Sequence, residues 1–256
     1  MKIKISIITA TYNSGKTLRD TIESVLNQNY RDFELIIQDG GSKDNTKAIV
    51  DEFMPRFNGR IKWYSEKDNG LYDAMNRGIF HATGDVIGIL NSDDFYADQT
   101  VLERIATTIK DVDAVYGDLV FVDPANTDSV VRQWKGSQHV SGGFMKGWHP
   151  AHPTFYAKKE LFEKFGSFDT TFDVSADFEL MFRFLEKGQV KSRYIPHTFV
   201  KMRLGGESTG SIKKIIQGNK NVLRAFKKNG YKAPPFYLVR RLAPKAINLI
   251  KNKLHI

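Results

Sequence analysis

Cysteine is absent from the 256 residues, which excludes a disulfide framework and fits a reducing compartment. A chain of this size buries enough core without such staples. Long hydrophobic runs are also missing: no apolar stretch approaches the roughly 20 residues that span a bilayer. The opening Met1–Thr9 is too short and too polar for a signal peptide, so a cytoplasmic protein is expected. Internal repeats and low-complexity tracts are lacking. Acids are almost missing from one region. Residues 205–256 hold 12 Lys/Arg and a single acid, Glu207, for a charge of +11, whereas residues 1–204 carry −2 of the net +9. A basic tail of this kind meets phosphate on membranes or nucleic acid. No nucleic-acid recognition motif or aromatic stacking surface accompanies the charge, so nucleic acid is not expected as a partner.

What is present is ordinary globular composition, 41% hydrophobic and 26% charged, for one domain or one domain with a tail. Apolar runs at Lys4–Ala10, Glu34–Gln38, Ile61–Ser65 and Val86–Leu90 read as buried strands. Helical periods at Lys16–Gln28, Asn45–Phe53 and Leu71–His81 separate them. The alternation argues an α/β fold with a parallel sheet and right-handed crossovers. Further on, Thr100–Ile109 reads as a helix and Ala114–Gly117 as a strand, with Leu119–Val122 and Val130–Trp134 as a hairpin. A loop spans Gly142–Pro153. Helices follow at Lys159–Phe165 and about Ser175–Lys187, then separate strands at Arg193–Ile195 and Phe199–Leu204.

Three strand ends carry polar clusters: Thr9-Ala10-Thr11-Tyr12-Asn13, Asp39-Gly40-Gly41-Ser42 and Asn91-Ser92-Asp93-Asp94. Successive parallel strands bring such ends to one sheet edge, where open α/β sheets bind ligands. Asp39 is suited to accept from a base imide or a ribose hydroxyl, and Tyr12 to stack on a base. Asp93 and Asp94 repel one another unless a cation or a hydrogen-bond network intervenes. A divalent metal holding a phosphate-bearing ligand meets that need with hard oxygen donors. Taken singly, each cluster is also common turn chemistry. Between the second and third clusters, Ser65–Gly78 leaves a strand and opens a helix, and there Asn69 and Arg77 face the same edge. Arg77 has the fork geometry to neutralise a diphosphate.

Four motifs in order, Thr9-x-Thr11-Tyr12-Asn13, Asp39-Gly40-Gly41-Ser42-x-Asp44, Asp73-Ala74-x-Asn76-x-Gly78 and Asn91-Ser92-Asp93-Asp94, resemble family 2 glycosyltransferases. The resemblance covers residues 3 to about 204. It implies a GT-A fold, a Rossmann-like mostly parallel sheet flanked by helices, as a catalytic domain over 1–204, with 205–256 as a basic helical tail. It also implies a nucleotide-sugar donor, UDP-linked, bound by Thr9, Thr11, Tyr12, Asp39, Asn69, Arg77, Ser92 and Asp93. Asp94 would hold Mg2+ or Mn2+. Family members invert the anomeric centre, and a carboxylate at a helix start takes the acceptor proton. The matching segment is Val174–Leu180, with Asp177 in the base position and Ala176 in place of the acid that usually precedes it. Without the resemblance, Asp177 reads as an acid favoured by the helix dipole. The processive members' Gln-x-x-Arg-Trp motif is missing, which implies single additions.

His149 and His152, three apart in Trp148–Pro153, are acceptor-side candidates or packed loop residues. Gly205-Gly206-Glu207-Ser208 is a candidate flap over the donor. Ile212, Ile215, Ile216, Val222, Leu223 and Phe226 form a helical stripe ringed by lysines, and Tyr237–Leu254 is again apolar on one side. The stripes suit either an anionic membrane surface or the protein's own body. The acceptor expected is a glycan or lipid-linked glycan, in surface polysaccharide or lipopolysaccharide assembly at the inner face of the cytoplasmic membrane. The competing readings are a nucleotidyltransferase and a non-catalytic nucleotide-sugar-binding protein at the membrane.

Overall fold

The computed structural model describes residues 2–205 and 212–239. Four strands expected from apolar runs are β1 (Ile5–Thr11), β2 (Phe33–Asp39), β3 (Ile61–Ser65) and β4 (Val86–Ile89). Every residue of β1, β2 and β4 is buried, as strands covered on both faces require. They lie parallel in the order β3-β2-β1-β4. The helices α1 (Leu18–Leu26), α2 (Thr46–Phe53) and α3 (Leu71–His81) form the crossovers. Helix α3 packs tightly, since a Cβ at Gly78 would sit 2.3 Å from Ile8.

Past β4 the chain changes style. A two-strand-residue piece β5 (Phe95–Tyr96), helix α4 (Val101–Thr108), β6 (Ala114–Val122), β7 (Val130–Trp134), β8 (Tyr156–Lys158) and β9 (Ser192–Arg203) extend the same sheet as β4-β8-β6-β9-β5, with β7 paired to β6. Here antiparallel pairs dominate: β4 with β8, β8 with β6, β5 with β9, β6 with β7. Among the described residues the sheet has nine strands. The expected breaks within β6 and β9 are absent. Between the pairs Tyr116–Tyr194 and Asp118–Thr198, Gly117 lies opposite residues 195–197. The bulge absorbs Pro196, which cannot donate to a ladder, so both strands continue through it.

Two apolar layers sandwich the sheet. One lies under α1, α2 and α4 and is mostly aliphatic; the other lies under α3, α5 (Lys159–Phe165), α6 (Ala176–Phe182) and α7 (Ile212–Lys228) and is rich in rings. Helix α6 runs on as a π turn, Arg183–Lys187. In α7, Val222, Ala225 and Phe226 are fully buried. Phe226 meets Phe182 at 4.9 Å, Tyr237 at 4.8 Å and Phe178 at 6.0 Å between ring centroids. Each such phenyl burial contributes about 1.5–3 kcal/mol. The inner stripe of α7 thus packs on the body, while Ile215, Ile216, Phe236 and Val239 stay exposed. Most of the expected flap (Gly206-Glu207-Ser208) and the segment after Val239 lie outside the described residues. No helix among the described residues is long and apolar enough to cross a membrane.

One contact joins the two parts of the sheet. Gly88 in β4 faces Tyr156 in β8, and a Cβ at 88 would come within 2.0 Å of the ring. The Tyr156 hydroxyl meets that of Tyr96, 2.5 Å away in the core.

Candidate active site

The parallel register sets Thr11 of β1 beside Asp39 of β2, and Asp39 beside Ser65 of β3. The three strand ends therefore form one rim. Thr9 and Thr11 are buried there, and neither hydroxyl has a hydrogen-bond partner among the described residues. A buried hydroxyl without a partner costs about 1–3 kcal/mol, so a ligand that reaches these groups recovers it. Asp39 is also buried, and its carboxylate is engaged. Oδ1 accepts from the Ser42 hydroxyl. Oδ2 accepts from the amides of Gly41 (3.1 Å) and Ser42 (3.0 Å) and from the Ser65 hydroxyl (2.6 Å). Asp39 thereby shapes the Gly40–Ser42 loop, with the Ser42 and Ser65 hydroxyls as the rotatable members of the set. Gly40 allows close approach: a Cβ there would lie 2.5 Å from the Asp68 carboxylate and 3.5 Å from the Tyr12 ring. Tyr12 stands 62% exposed at the mouth.

The acidic pair follows β4. Asp94 is fully buried. Its Oδ2 accepts from the Asn91 side-chain Nδ2 at 2.8 Å, and its Oδ1 has no partner among the described residues. Burial, then the charge of Asp93, push the Asp94 carboxyl well above the ordinary carboxylate range. Burial also raises Asp93. The backbone here is clamped. Thr17 donates to the Ser92 carbonyl (2.9 Å), Thr21 to the Asp94 carbonyl (2.7 Å), and Arg203 to the Asp93 carbonyl (2.5 Å) while pairing with Asp20. The Ser92 hydroxyl meets that of Ser14 at 2.9 Å. Two adjacent carboxylates with one orphaned oxygen fit a hard divalent cation. Among the described residues no cluster of three acidic or His ligands exists, so the protein alone would supply such a cation with few ligands.

The 65–78 segment is organised by Asp73. Its Oδ2 accepts from the Asn69 amide (2.9 Å) and side chain (3.3 Å) and pairs with Arg77 at 3.0 Å. Arg77 also pairs with Glu66 (3.0 Å) and donates to the Lys67 carbonyl. Arg77 is thus held by two carboxylates at the rim. Asn76 exchanges hydrogen bonds with the backbone of Phe168, 2.8 and 2.9 Å, which pins the segment leading to α6.

Asp177 is half-buried in the first turn of α6, after Ser175 in a left-handed conformation (φ 67°). Its Oδ1 accepts from the Tyr72 hydroxyl at 3.3 Å, a contact that joins the third parallel crossover to the far half of the chain. Burial, with Asp177 close by, raises the Tyr72 phenol well above its usual range. His152 lies near: burial lowers its pKa, the Asp177 charge opposes that shift, and its Nε2 is buried without a partner among the described residues. His149 packs edge-on against Trp134 (5.0 Å) and Phe178 (5.5 Å). Local pattern marks Asn91, in the Asn91-Ser92-Asp93-Asp94 cluster, but not Tyr72 or Arg203 as members of the site. The roles of Tyr72 and Arg203 come from contacts 105 and 110 residues apart.

Helix α7 braces this end. Asn221 donates to Asp173 (2.7 Å) and to the Val174 carbonyl (2.8 Å), Arg224 donates to the Thr171 carbonyl (2.9 Å), and Ser175 reaches the Gly218 carbonyl. Beneath them Glu179, with no exposure, pairs with Arg183 at 3.0 Å and accepts from Asn229 at 3.0 Å. Burial would raise Glu179, but Arg183, Asn229 and Lys228 bring it below its ordinary value. A cavity of about 540 Å³ opens between Asn69–Asp73, Thr170–Val174 and the first turns of α7.

Comparison with known proteins agrees with this geometry. The model for glycosyl transferase family 2 matches residues 6–187. A PGL/p-HBAD biosynthesis glycosyltransferase of Mycobacterium bovis is 31% identical over 193 residues, 74% of this chain and 73% of that protein. The glycosyltransferase GlyG of Streptococcus pneumoniae is 34% identical over 48% of this chain and 41% of its own length. S. aureus TarS 1–349 in complex with UDP-GlcNAc superimposes with a TM-score of 0.71 at 16% identity, over 94% of this chain and 73% of that one. Mannosyltransferase PcManGT from Pyrobaculum calidifontis, in complex with GDP-Man and Mn2+, gives 0.66 at 21% identity, over 94% and 68%. The expected mostly parallel sheet, the strand-end motifs and the family match converge: this chain is a glycosyltransferase with the GT-A fold and belongs to glycosyl transferase family 2.

Proposed function

We propose that the protein transfers a sugar from a UDP-linked donor to an acceptor hydroxyl with inversion. The observation that supports this reading is the Tyr72–Asp177 contact at 3.3 Å, which ties a carboxylate from the far half of the chain to the start of α3, the helix that follows β3. Asp177 takes the proton of the acceptor hydroxyl as that oxygen attacks the anomeric carbon. The bond from the anomeric carbon to the diphosphate oxygen breaks, and the electron pair leaves with the nucleoside diphosphate. The unpartnered Thr9 and Thr11 hydroxyls, exposed Tyr12, Asp39 with its two serines, Asn69 and Ser92 line the nucleotide's path. Asp93 faces the donor ribose. Arg77, held by Glu66 and Asp73, orders the rim and adds positive charge to it.

Asp94 would hold Mg2+ or Mn2+, which supplies charge neutralisation of the leaving diphosphate when bound. The PcManGT complex contains Mn2+, in line with such a cation. His149 and His152 stand on the acceptor side. The acceptor is a glycan or lipid-linked glycan of surface polysaccharide assembly, as the name of the mycobacterial relatives supports. The exposed Ile215, Ile216, Phe236 and Val239 beside the α7 lysines support contact with an anionic membrane surface.

Equilibrium titration of UDP-sugars with and without Mn2+ tests the donor assignment, and product analysis tests the reaction. Released UDP with transferred sugar is expected. A transferred nucleoside monophosphate would identify a nucleotidyltransferase instead. Asp94→Ala should abolish Mn2+-dependent binding and turnover; activity retained in that variant ends the metal assignment. Co-sedimentation with anionic vesicles tests the membrane contact.

A further inference from the structure

In the motif Asp73-Ala74-x-Asn76-x-Gly78, Asp73 organises the rim segment and Gly78 lets α3 approach the sheet. Asn76 commits both ends of its amide to a residue 92 positions away. Its Nδ2 donates to the Phe168 carbonyl at 2.8 Å, and its Oδ1 accepts from the Phe168 N–H at 2.9 Å. One side chain thus satisfies the Phe168 backbone as a neighbouring strand would. The Phe168 ring, buried in the core, touches two neighbours of Asp177. Tyr72 packs on it at 5.5 Å between centroids and donates to Asp177. His152, which feels the Asp177 charge, meets it edge-on at 5.7 Å. The rest of the stretch before α6 is held from its own half. Arg183 donates to the carbonyls of Phe165, Gly166 and Ser167, and α7 holds those of Thr171 and Val174. Among these anchors Asn76 is the one that belongs to the parallel half.

We propose that Asn76 is a positioning residue for the transfer step: by fixing the backbone of Phe168 it seats the ring against which Tyr72 packs, and so holds the Asp177 carboxylate at a set place relative to α3. The proposal rests on the glycosyl-transfer reading for the use of Asp177 as a base. Tyr72 and Asn76 stand four residues apart on α3 and share one face of it. The far half is therefore tied to one helix at two points, Asp177 through Tyr72 and Phe168 through Asn76. One tie alone leaves a pivot; the second, one turn along, removes it. A misplacement of about 1 Å at a catalytic group costs up to about 10²-fold in rate. Asn76 accordingly acts on the rate of transfer and not on the affinity for the nucleotide.

The test uses the full chain and Asn76→Ala, with the urea midpoint confirming that the variant folds. Phe168→Leu is the second variant: it keeps an apolar side chain and removes the ring. One readout is fluorine NMR of protein labelled with fluorotyrosine, the Tyr72 line being assigned by its loss in Tyr72→Phe. The others are equilibrium binding of UDP and release of UDP from UDP-GlcNAc, UDP-glucose and UDP-galactose with Mn2+ and water as acceptor. In both variants the Tyr72 line should move and kcat should fall about tenfold, with UDP affinity as in the wild type. Placed in Asp177→Asn protein, Asn76→Ala should slow release no further, because its effect runs through that carboxylate. A role confined to folding lowers the midpoint but leaves the Tyr72 line in place, and an unmoved line in folded Asn76→Ala overturns the proposal. So does a moved line with unchanged kcat, an equal loss of rate with and without Asp177, or a loss of UDP affinity as large as the loss of rate. Should Asn76→Ala fail to fold, the same readings on Phe168→Leu decide. A wild type that releases UDP from none of the three sugars, while the line still moves in the variants, keeps the tie between Asn76 and Asp177 and removes the UDP-sugar transfer reading.

Discussion

The two ends of the cleft are built by different means. On the nucleotide side, β1, β2 and β4 end in loops that fold their own polar groups inward: Asp39 is engaged by its loop, and the Asp93–Asp94 backbone is clamped from α1 and β9. That side rests on an aliphatic layer of Ile, Leu and Val. On the Asp177 side the layer is aromatic, Phe144, Phe178, Phe182 and Phe226 among it, and the catalytic candidate is placed by a brace from a later helix. A parallel sheet positions ligands by its own topology, whereas an irregular half needs an added element to fix one side chain.

The sharpest way to separate the ends is Asp177→Asn, which keeps the shape and removes the base. Turnover should fall by about 10²–10⁴ with donor affinity unchanged in equilibrium titration; unchanged turnover would mean another base. Next is the brace itself. Glu179→Ala leaves Arg183 buried without its carboxylate and should cost about 3–5 kcal/mol in urea unfolding. The exposed Arg19–Glu52 pair offers the contrast: Glu52→Ala should leave the urea midpoint almost unchanged.

Acid sharpens the comparison from the sheet side. Burial would raise Glu34, but hydrogen bonds from Lys62, Ser6 and Thr83 hold it at about 2, against an ordinary value of 4.5. A depressed folded-state pKa stabilises above pH 4.5 and loses that contribution as pH falls toward 2. Glu34 should therefore contribute about 3 kcal/mol near neutrality. Glu34→Gln should flatten the stability–pH curve in that window; an unaltered curve would place the acid sensitivity elsewhere. Among the changes at the site, the smallest effect belongs to Tyr72→Phe. Loss of one long hydrogen bond to Asp177, worth about 1 kcal/mol, should lower kcat several-fold and leave UDP affinity as it was.

The regular half was the legible half. The bounds of β3 and α3 follow the apolar run and the helical period residue for residue, because each is flanked by a turn or a glycine; past β4, α5 with Gly166 at its stop does the same. Strands β5 and β8, two and three residues long, are too short to show a period. Pro196 reads as a strand break, although the bulge opposite Gly117 accommodates it. Asp177 came from resemblance and not from spacing, since an acid at a helix start is common for electrostatic reasons alone. The stripe on α7 left membrane and body as equal readings, because both reward the same amphipathic pattern. Tyr72 as a partner of Asp177 depends on tertiary placement that no local pattern encodes.

Gly88 and Tyr156 lock together like tooth and notch where the orderly half of the sheet meets the irregular one. With a Cβ at 88 only 2.0 Å from the ring, even the smallest side chain there would drive β8 away from β4, the strand that ends in the acidic pair. The two positions should therefore drift as one through descent: relatives that gain a side chain at 88 should be those that shrink the ring at 156.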